Sequence, residues 1–316
     1  TKRRDSAASH NLRDSVRGPL KHLQSDITGA EDTESTGVIA FLNDGFRLNG
    51  ENSQSGQVNV NSGNFVAWNW KAGGTAPVKT YVVKVVSDSG NKYRFDDYAT
   101  SAQTVHLQEG GTYTFDQSHS SNSGHPLRFS TTSNGSHGGG SEYTTGVTTY
   151  GSPGSSGAYT KITVAASTAR LYYYCTVHSG MGGQINTNST FGSSYFDGDI
   201  KAVVSANQEA GFSIVTYTAT SDPDATVTHG LGVAPEMVFY KWGASAWYCW
   251  TTVIDGSNDR LVLDRTDAKT TVSASYGSFT SEFIRGIDVS TNVLAYCFAS
   301  KPGFSKIGVY TGNGNA

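Results

Sequence analysis

The sequence predicts an all-β protein in which β-sandwich modules flank a sandwich of a second type. Only 16% of the 316 residues are charged and 37 are glycine, a composition that helical proteins rarely have. Apolar and polar residues alternate over short stretches, as in residues 81–86 and 211–217, which is the pattern of half-buried strands. Clusters of Gly, Asn, Ser and Asp separate these stretches and favour turns.

A helix is expected at one place at most. Residues 11–23 are the single candidate, and this segment is short and contains Gly18-Pro19, a pair that interrupts helices. Elsewhere no long segment repeats its apolar residues with the helical period.

Charge and hydropathy exclude two classes of partner. The net charge of −3 at pH 7 leaves no basic footprint for nucleic acid. No apolar run is long enough to cross a membrane, so no membrane span is expected. Residues 2–4 are basic but lead into polar sequence, without the apolar core of a signal peptide.

The three cysteines, Cys175, Cys249 and Cys297, are too few for a disulfide framework. Cys249 and Cys297 both lie in aromatic stretches that resemble strands. A bridge between them and two buried free thiols are both open at this stage.

The chain repeats itself over a long distance. Residues 64–71 resemble residues 292–299, since an apolar and aromatic alternation follows an Asn in both. Residues 23–30 (LQSDITGA) align with residues 261–268 (LVLDRTDA). Two copies of one module are therefore expected.

A third similarity sets the phase of this repeat, because residues 303–311 resemble residues 211–218. The predicted domains are a partial β-module that lacks its opening strands (1–75), a separate domain (76–190), a linker (191–210) and a complete β-module followed by the opening strand of a next one (211–316). An incomplete sandwich leaves a strand edge unpaired, so a homo-oligomer or a fibre that pairs these edges is expected. A chain boundary that falls inside a domain is the open alternative.

The most specific chemistry lies in the separate domain. A strand pattern ends in Cys175, and His178 and Met181 follow it in a short loop that contains glycine. A thiolate, an imidazole and a thioether, joined by a second imidazole, are the ligand set of a mononuclear type 1 (blue) copper site. His125, at the start of an upstream strand pattern, is the candidate for that imidazole.

This region resembles the cupredoxins, the Greek-key β-sandwiches of plastocyanin and amicyanin. The Cys-x-x-His-x-x-Met spacing is similar to the short ligand loop of amicyanin, and the upstream Gly-His-Pro is similar to the segment of the first histidine ligand. The resemblance implies that His125 and His178 are the imidazole ligands, Cys175 the thiolate and Met181 the weak axial ligand. A sandwich that has lost its metal is the open alternative.

Other candidates favour structural roles. His119 and His137 lie in polar loops and are expected to be solvated, and His229 is expected to have a packing or turn role. Trp68 and Trp70 share one strand face, which suits a sandwich core or a platform for stacking sugars, and the core is favoured. No nucleophile, phosphate-binding or dinucleotide motif is present, so an enzyme is not expected.

The outer segments, residues 1–75 and 200–316, are similar to repeats in large virion and tail-fibre-like proteins of marine bacteriophages. This resemblance implies a structural or adhesive protein of a virion or an extracellular fibre, with a host-surface receptor or a glycan as partner. A copper-binding electron-transfer module displayed on a surface is the alternative function.

Overall fold

The structure is a computed structural model that describes residues 1–42, 44–49, 58–73, 76–188, 192–272, 279–312 and 314. In this part of the chain the regular structure consists of β-strands and two short 3-10 helices, Ser120–Asn122 and Gly135–Gly138. The all-β fold class is therefore confirmed. No helix of the described residues has the length and apolar character that crossing a membrane requires.

The chain forms two compact units. One, the flanking unit, combines Thr1–Gly74 with Val204–Ala316, and the other, the inserted unit, is Thr75–Val203. The sequence interpretation kept residues 1–75 and 211–316 apart, whereas they belong to one unit. The expected linker at 191–210 contains strands instead.

The first segment of the flanking unit contains short strands, which are β1 (Lys2–Arg3), β2 (Leu12–Asp14), β3 (Gly18–Leu23), β4 (Asp32–Thr33), β5 (Gly37–Leu42), β6 (Gly45–Asn49) and β7 (Phe65–Val66). The one helical candidate, residues 11–23, forms no helix, because this segment is the antiparallel pair β2 and β3. Gly18 begins β3 with a φ of 97°, which glycine adopts without strain.

The strands of the inserted unit are β8 (Val78–Ser87), β9 (Asn91–Phe95), β10 (Val105–Gln108), β11 (Thr112–Asp116), β12 (Leu127–Ser130), β13 (Val147–Tyr150), β14 (Tyr159–Thr163), β15 (Leu171–Cys175), β16 (Gly183–Asn188) and β17 (Ser193–Tyr195). Strands β8 to β16 form one sheet in the order β10-β16-β15-β12 and another in the order β13-β14-β11-β8-β9. Alternate side chains of both sheets, such as Tyr81, Phe115, Phe129 and Tyr173, are buried in one cluster. This unit is therefore a two-sheet sandwich.

The second segment of the flanking unit contains β18 (Ala202–Asn207), β19 (Phe212–Thr218), β20 (Thr226–Thr228), β21 (Met237–Trp242), β22 (Tyr248–Thr251), β23 (Asp259–Val262), β24 (Thr270–Thr271), β25 (Phe283–Arg285) and β26 (Asn292–Phe298). Its main sheet has the order β18-β19-β26-β21-β22-β23-β24. The first segment packs on this sheet, since Leu23 shares a core cluster with Trp247 and Tyr296, and the Tyr296 hydroxyl donates to Asp14 at 2.7 Å.

Two further sequence alternatives are decided by the flanking unit. Cys249 and Cys297 are free and buried, so they form no bridge. Trp68 and Trp70 are exposed by 60% and 57%, so the expectation that they fill a core is wrong. The physical reason is that the strand β7 ends at Val66, before either tryptophan.

Candidate metal centre

Two neighbouring strands bring the candidate ligands to one end of the inserted unit. β12 and β15 are antiparallel, and Leu127 lies opposite Cys175. The start of β12 is therefore beside the end of β15. His125 precedes Leu127 by two residues, so it lies at the same end of the sheet as Cys175.

The thiol of Cys175 faces the interior of the sandwich. Leu171, Tyr173 and Cys175 alternate along β15, and all three belong to the buried core cluster. Because Cys175 is the last residue of the strand, its side chain lies at one end of the core.

Three ligand atoms meet at this point. The Sγ atom of Cys175 lies 3.9 Å from Nδ1 of His125 and 3.8 Å from Nδ1 of His178. The two imidazole rings have their centroids 4.6 Å apart. The ligand atoms of these three residues all lie within 4.8 Å of one another. Among the described residues, no other group of three or more His, Cys, Asp or Glu side chains converges in this way.

These separations fit one shared metal ion. A metal bonded to sulfur at about 2.3 Å and to nitrogen at about 2.0 Å, with about 120° between the bonds of a trigonal site, holds sulfur and nitrogen about 3.7 Å apart. The observed distances of 3.8 and 3.9 Å agree with this value. A thiolate and two imidazoles are also a donor set that copper, zinc and iron accept.

Met181 lies on the same loop and is buried, with 1% of its surface exposed. It belongs to the core cluster that contains Cys175. Its backbone carbonyl accepts a hydrogen bond from the Tyr93 amide at 2.9 Å. The role of its sulfur as the axial ligand stays a prediction.

The ligand loop, residues 176–182, requires glycine at two positions. Gly180 has a φ of 73°, a conformation that other residues rarely adopt. At Gly182 a Cβ atom would lie 1.7 Å from the carbonyl oxygen of Tyr173. The loop therefore returns so closely to β15 that no side chain fits there.

Three side chains from other segments fix this loop and the residue before it. Asn134 accepts a hydrogen bond from the Gly180 amide at 2.8 Å, and Lys92 donates to the Gly180 carbonyl. A ring nitrogen of His137 lies 3.0 Å from the Cys175 carbonyl and donates to it. His137 and His119 are both exposed, as expected, but His137 also bonds to the ligand strand, whereas His119 bonds to its neighbour Ser121 at 2.9 Å.

The backbone of His125 is fixed by two buried groups. Its carbonyl accepts from the Tyr93 hydroxyl at 2.8 Å and from the Gln117 amide at 2.9 Å. The same Gln117 side chain accepts from the Leu127 amide at 3.1 Å. Gln117 therefore joins the residue that carries the imidazole to the first residue of β12.

The surroundings of His125 and of Tyr93 favour the neutral forms of these two side chains. Burial, and then the positive charge that His178 can carry, lower the pKa of His125, which favours the neutral imidazole that binds metals. Burial, and then the neighbouring Cys175, raise the pKa of Tyr93, so its hydroxyl keeps the proton that it donates. His178 is exposed, so the centre opens to the surface through this ring.

A comparison with protein families identifies the family of the segments on either side of the centre. A family model described as "Domain of unknown function (DUF7483)" matches residues 1–105 and 186–316. The chain belongs to this family. No curated protein matches the chain, and no solved structure matches it.

The two matched segments leave out residues 106–185, and His125, Cys175, His178 and Met181 all lie in that interval. The converging ligands are thus outside the part of the chain that matches the family. The chemistry of the centre therefore depends on residues that the family match does not cover.

Sequence reasoning missed the residues that support the centre. Asn134, His137, Tyr93 and Gln117 are polar or aromatic residues far from the ligand loop in sequence, and nothing in their spacing marks them. Only the fold brings them to the ligands. One weak signal exists, because Asn134 and Gly135 form a pair typical of turns.

Proposed function

We propose that the inserted unit binds one copper ion through His125, Cys175 and His178. The observation that carries this proposal is the convergence of one sulfur and two nitrogen atoms at 3.8 and 3.9 Å. Two imidazoles and a thiolate with a weak thioether are the donors of blue copper centres, and Met181 is the buried residue on the same loop that supplies a thioether.

The protein's part in this function is to hold the donors in place. Cys175 is fixed by the end of β15, His125 by Tyr93 and Gln117, and the loop by Asn134. Such supporting contacts orient ligands and tune their basicity. Bound copper would supply a one-electron redox couple, and the exposed ring of His178 favours exchange of electrons with a partner at the surface.

A visible absorption titration tests the metal function. Copper(II) added to the full chain is expected to give an intense band from thiolate-to-copper charge transfer. The band is expected to be lost in Cys175→Ser and in His125→Ala. Cys297→Ser and His119→Ala are matched controls, because Cys297 is a buried free thiol elsewhere and His119 is bonded within its own loop; both should keep the band.

No spectral change and no shift in melting temperature on adding copper would contradict the metal function. In that case the inserted unit would be an interaction domain. A band that survives Cys175→Ser would contradict the assignment of the ligands.

We further propose that the flanking unit serves as a structural or adhesive module of an extracellular or virion fibre. Its two segments contain copies of one strand pattern, and repeated modules grow into arrays by stacking. Binding to host cells or glycans that is unchanged in His125→Ala and Cys175→Ser would support this role. Binding that disappears with the copper ligands would assign adhesion to the inserted unit instead.

A further inference from the structure

The flanking unit contains two copies of one hairpin with identical pairing. In the first copy His22 pairs with Asp32, and in the second Arg260 pairs with Thr270. The alignment of residues 23–30 with residues 261–268 can be extended at both ends without a gap. In this extended alignment Arg260 is the equivalent of His22, and Thr270 is the equivalent of Asp32. Equivalent residues therefore have equivalent partners.

The two equivalent aspartates each accept a backbone hydrogen bond. The Asp26 carboxylate accepts from the His10 amide at 3.0 Å, and the Asp264 carboxylate accepts from the Trp247 amide at 3.0 Å. Asp26 and Asp264 occupy the same position in the aligned segments. The two copies thus share a loop conformation as well as a strand register.

The strand β7 is the first copy's equivalent of β26. Lys2 pairs with Val66 in β1 and β7, as Lys241 pairs with Leu294 in β21 and β26. The alignment of residues 64–71 with 292–299 makes Val66 the equivalent of Leu294. One edge of β7 therefore faces β1, as one edge of β26 faces β21.

The other edges of the two strands differ. The second edge of β26 pairs with β19 along its whole length, and Tyr296 in it is only 6% exposed. Trp68 is the equivalent of Tyr296 and is 60% exposed. Within the described residues, β7 pairs with β1 only, so its second edge is open.

The chain carries one more segment with the sequence of β19. Residues 211–218 and 303–311 both begin with Gly-Phe-Ser and end with Tyr-Thr, and Lys306 is one extra residue in the second. In the structure residues 308–312 form no strand and are exposed. Val309 is 61% and Tyr310 94% exposed, which is unusual for apolar residues in a strand-like pattern.

We propose that residues 307–311 of one chain pair with residues 64–68 of a second copy, as β19 pairs with β26. The register follows from that of β19 and β26, in which Tyr217 lies opposite Val293 and Val215 opposite Ala295. The equivalent pairs between copies are Tyr310 opposite Phe65 and Gly308 opposite Ala67. The added strand covers the open edge of β7 with backbone hydrogen bonds.

This contact joins residues 307–311 of one copy to residues 64–68 of another. Because the two surfaces differ, the contact is heterologous, and it continues into a ring or an open filament. Both paired segments belong to the flanking unit, so this contact does not depend on copper binding.

Disulfide trapping between copies tests the register. Ala67→Cys and Gly308→Cys, each in a separate full chain, are mixed and oxidised. Both positions are exposed, and a Cβ at Gly308 meets nothing within 4 Å. A mixed disulfide is expected, since opposite strand residues lie within the Cα separation that a disulfide spans. The control replaces Ala67→Cys by Val233→Cys, which is exposed in a different part of the unit.

Equal trapping of Val233→Cys would overturn the proposal. So would a chain carrying both Ala67→Cys and Gly308→Cys that oxidises only within itself, because the segment would then close on its own copy.

Light scattering during size-exclusion chromatography gives a second measurement. The mass is expected to exceed one chain and to rise with concentration. The double change Gly308→Pro with Val309→Pro should return it to a single chain, because proline removes ladder donors, while Gly312→Pro should not. These residues lie outside every strand, so the fold is not at risk. A single-chain mass at all concentrations would overturn the proposal.

Discussion

Cys175 and Cys297 differ in their surroundings although their burial is the same. Both side chains have no exposed surface. Cys297 lies within β26 with strands on both sides, and burial raises the pKa of its thiol to about 12. Cys175 ends its strand beside two imidazoles. The comparison teaches that the position of a cysteine along its strand, rather than its burial, decides whether ligands can gather around it.

The largest expected loss of stability and of copper binding follows from a substitution at Gly182, next to the Cys175 strand. Gly182→Ala places a Cβ atom 1.7 Å from the Tyr173 carbonyl oxygen, so the ligand loop has to move. We expect a loss of about 4 kcal/mol in the stability of the inserted unit, together with loss of the copper band, measured by urea unfolding and absorption. Gly45→Ala is the control, because a Cβ there meets nothing within 4 Å. A stable Gly182→Ala chain that binds copper normally would show that the loop is not held tightly.

A histidine of the flanking unit gives the next largest effect. His229 is fully buried, accepts from the Leu231 amide at 3.2 Å and lies 3.2 Å from the Thr280 carbonyl, which suits a neutral ring. Burial lowers its pKa from 6.5 to about 4. The unfolded chain therefore binds an extra proton between these values, and stability is lost as the pH falls from about 6.5 to about 4.

The full loss at His229 is of the order of 3 kcal/mol. Tryptophan fluorescence measures it selectively, because all 5 tryptophans lie in the flanking unit. In His229→Gln this pH dependence should shrink. Identical pH profiles for the two proteins would mean that His229 is not held neutral.

The exchange of sulfur for oxygen at Cys297 is a smaller and more direct contrast. Cys297→Ser replaces the thiol by a smaller hydroxyl beside the buried side chain of Ser213, which is expected to destabilise the flanking unit by about 1–2 kcal/mol through lost packing without changing copper binding. Cys175→Ser is expected to remove copper binding. If Cys297→Ser weakened the copper band as strongly as Cys175→Ser, the comparison between the two thiols would be wrong.

The smallest expected effect is at His137. His137→Ala removes the hydrogen bond to the Cys175 carbonyl, so we expect a loss of about 1 kcal/mol in stability and roughly tenfold weaker copper binding. His137→Gln can donate to the same carbonyl and should restore part of the affinity. Isothermal titration with copper measures both, and unchanged affinity in His137→Ala would remove this residue from the support of the centre.

The sequence predicted the strands and the ligand loop because both are local patterns. The alternation in residues 81–86 lies within β8, and Cys175, His178 and Met181 are close in the chain. His125 is a candidate because it starts an upstream strand pattern, and the antiparallel register of β12 and β15 explains why it lies beside Cys175. Gln117 and His137 could not be predicted, because their partners are set by the packing of distant strands.

One prediction failed for an identifiable physical reason, and one open question was decided. Trp68 and Trp70 have the alternation of a core strand, but burial also requires a neighbouring strand, and β7 pairs with β1 only among the described residues. The sequence left residues 11–23 open as a helical candidate, and pairing between β2 and β3 decided their structure. A local sequence pattern therefore predicts which residues form strands better than it predicts which strands pair.

X-ray absorption spectroscopy at the copper edge tests the central claim most directly. On the full chain loaded with copper and freed of excess metal, we expect one copper per chain with one short bond to sulfur and two bonds to imidazole nitrogen, and no short sulfur bond in Cys175→Ser. A chain that retains no copper, or copper bound only by nitrogen and oxygen, would contradict a centre formed by His125, Cys175 and His178.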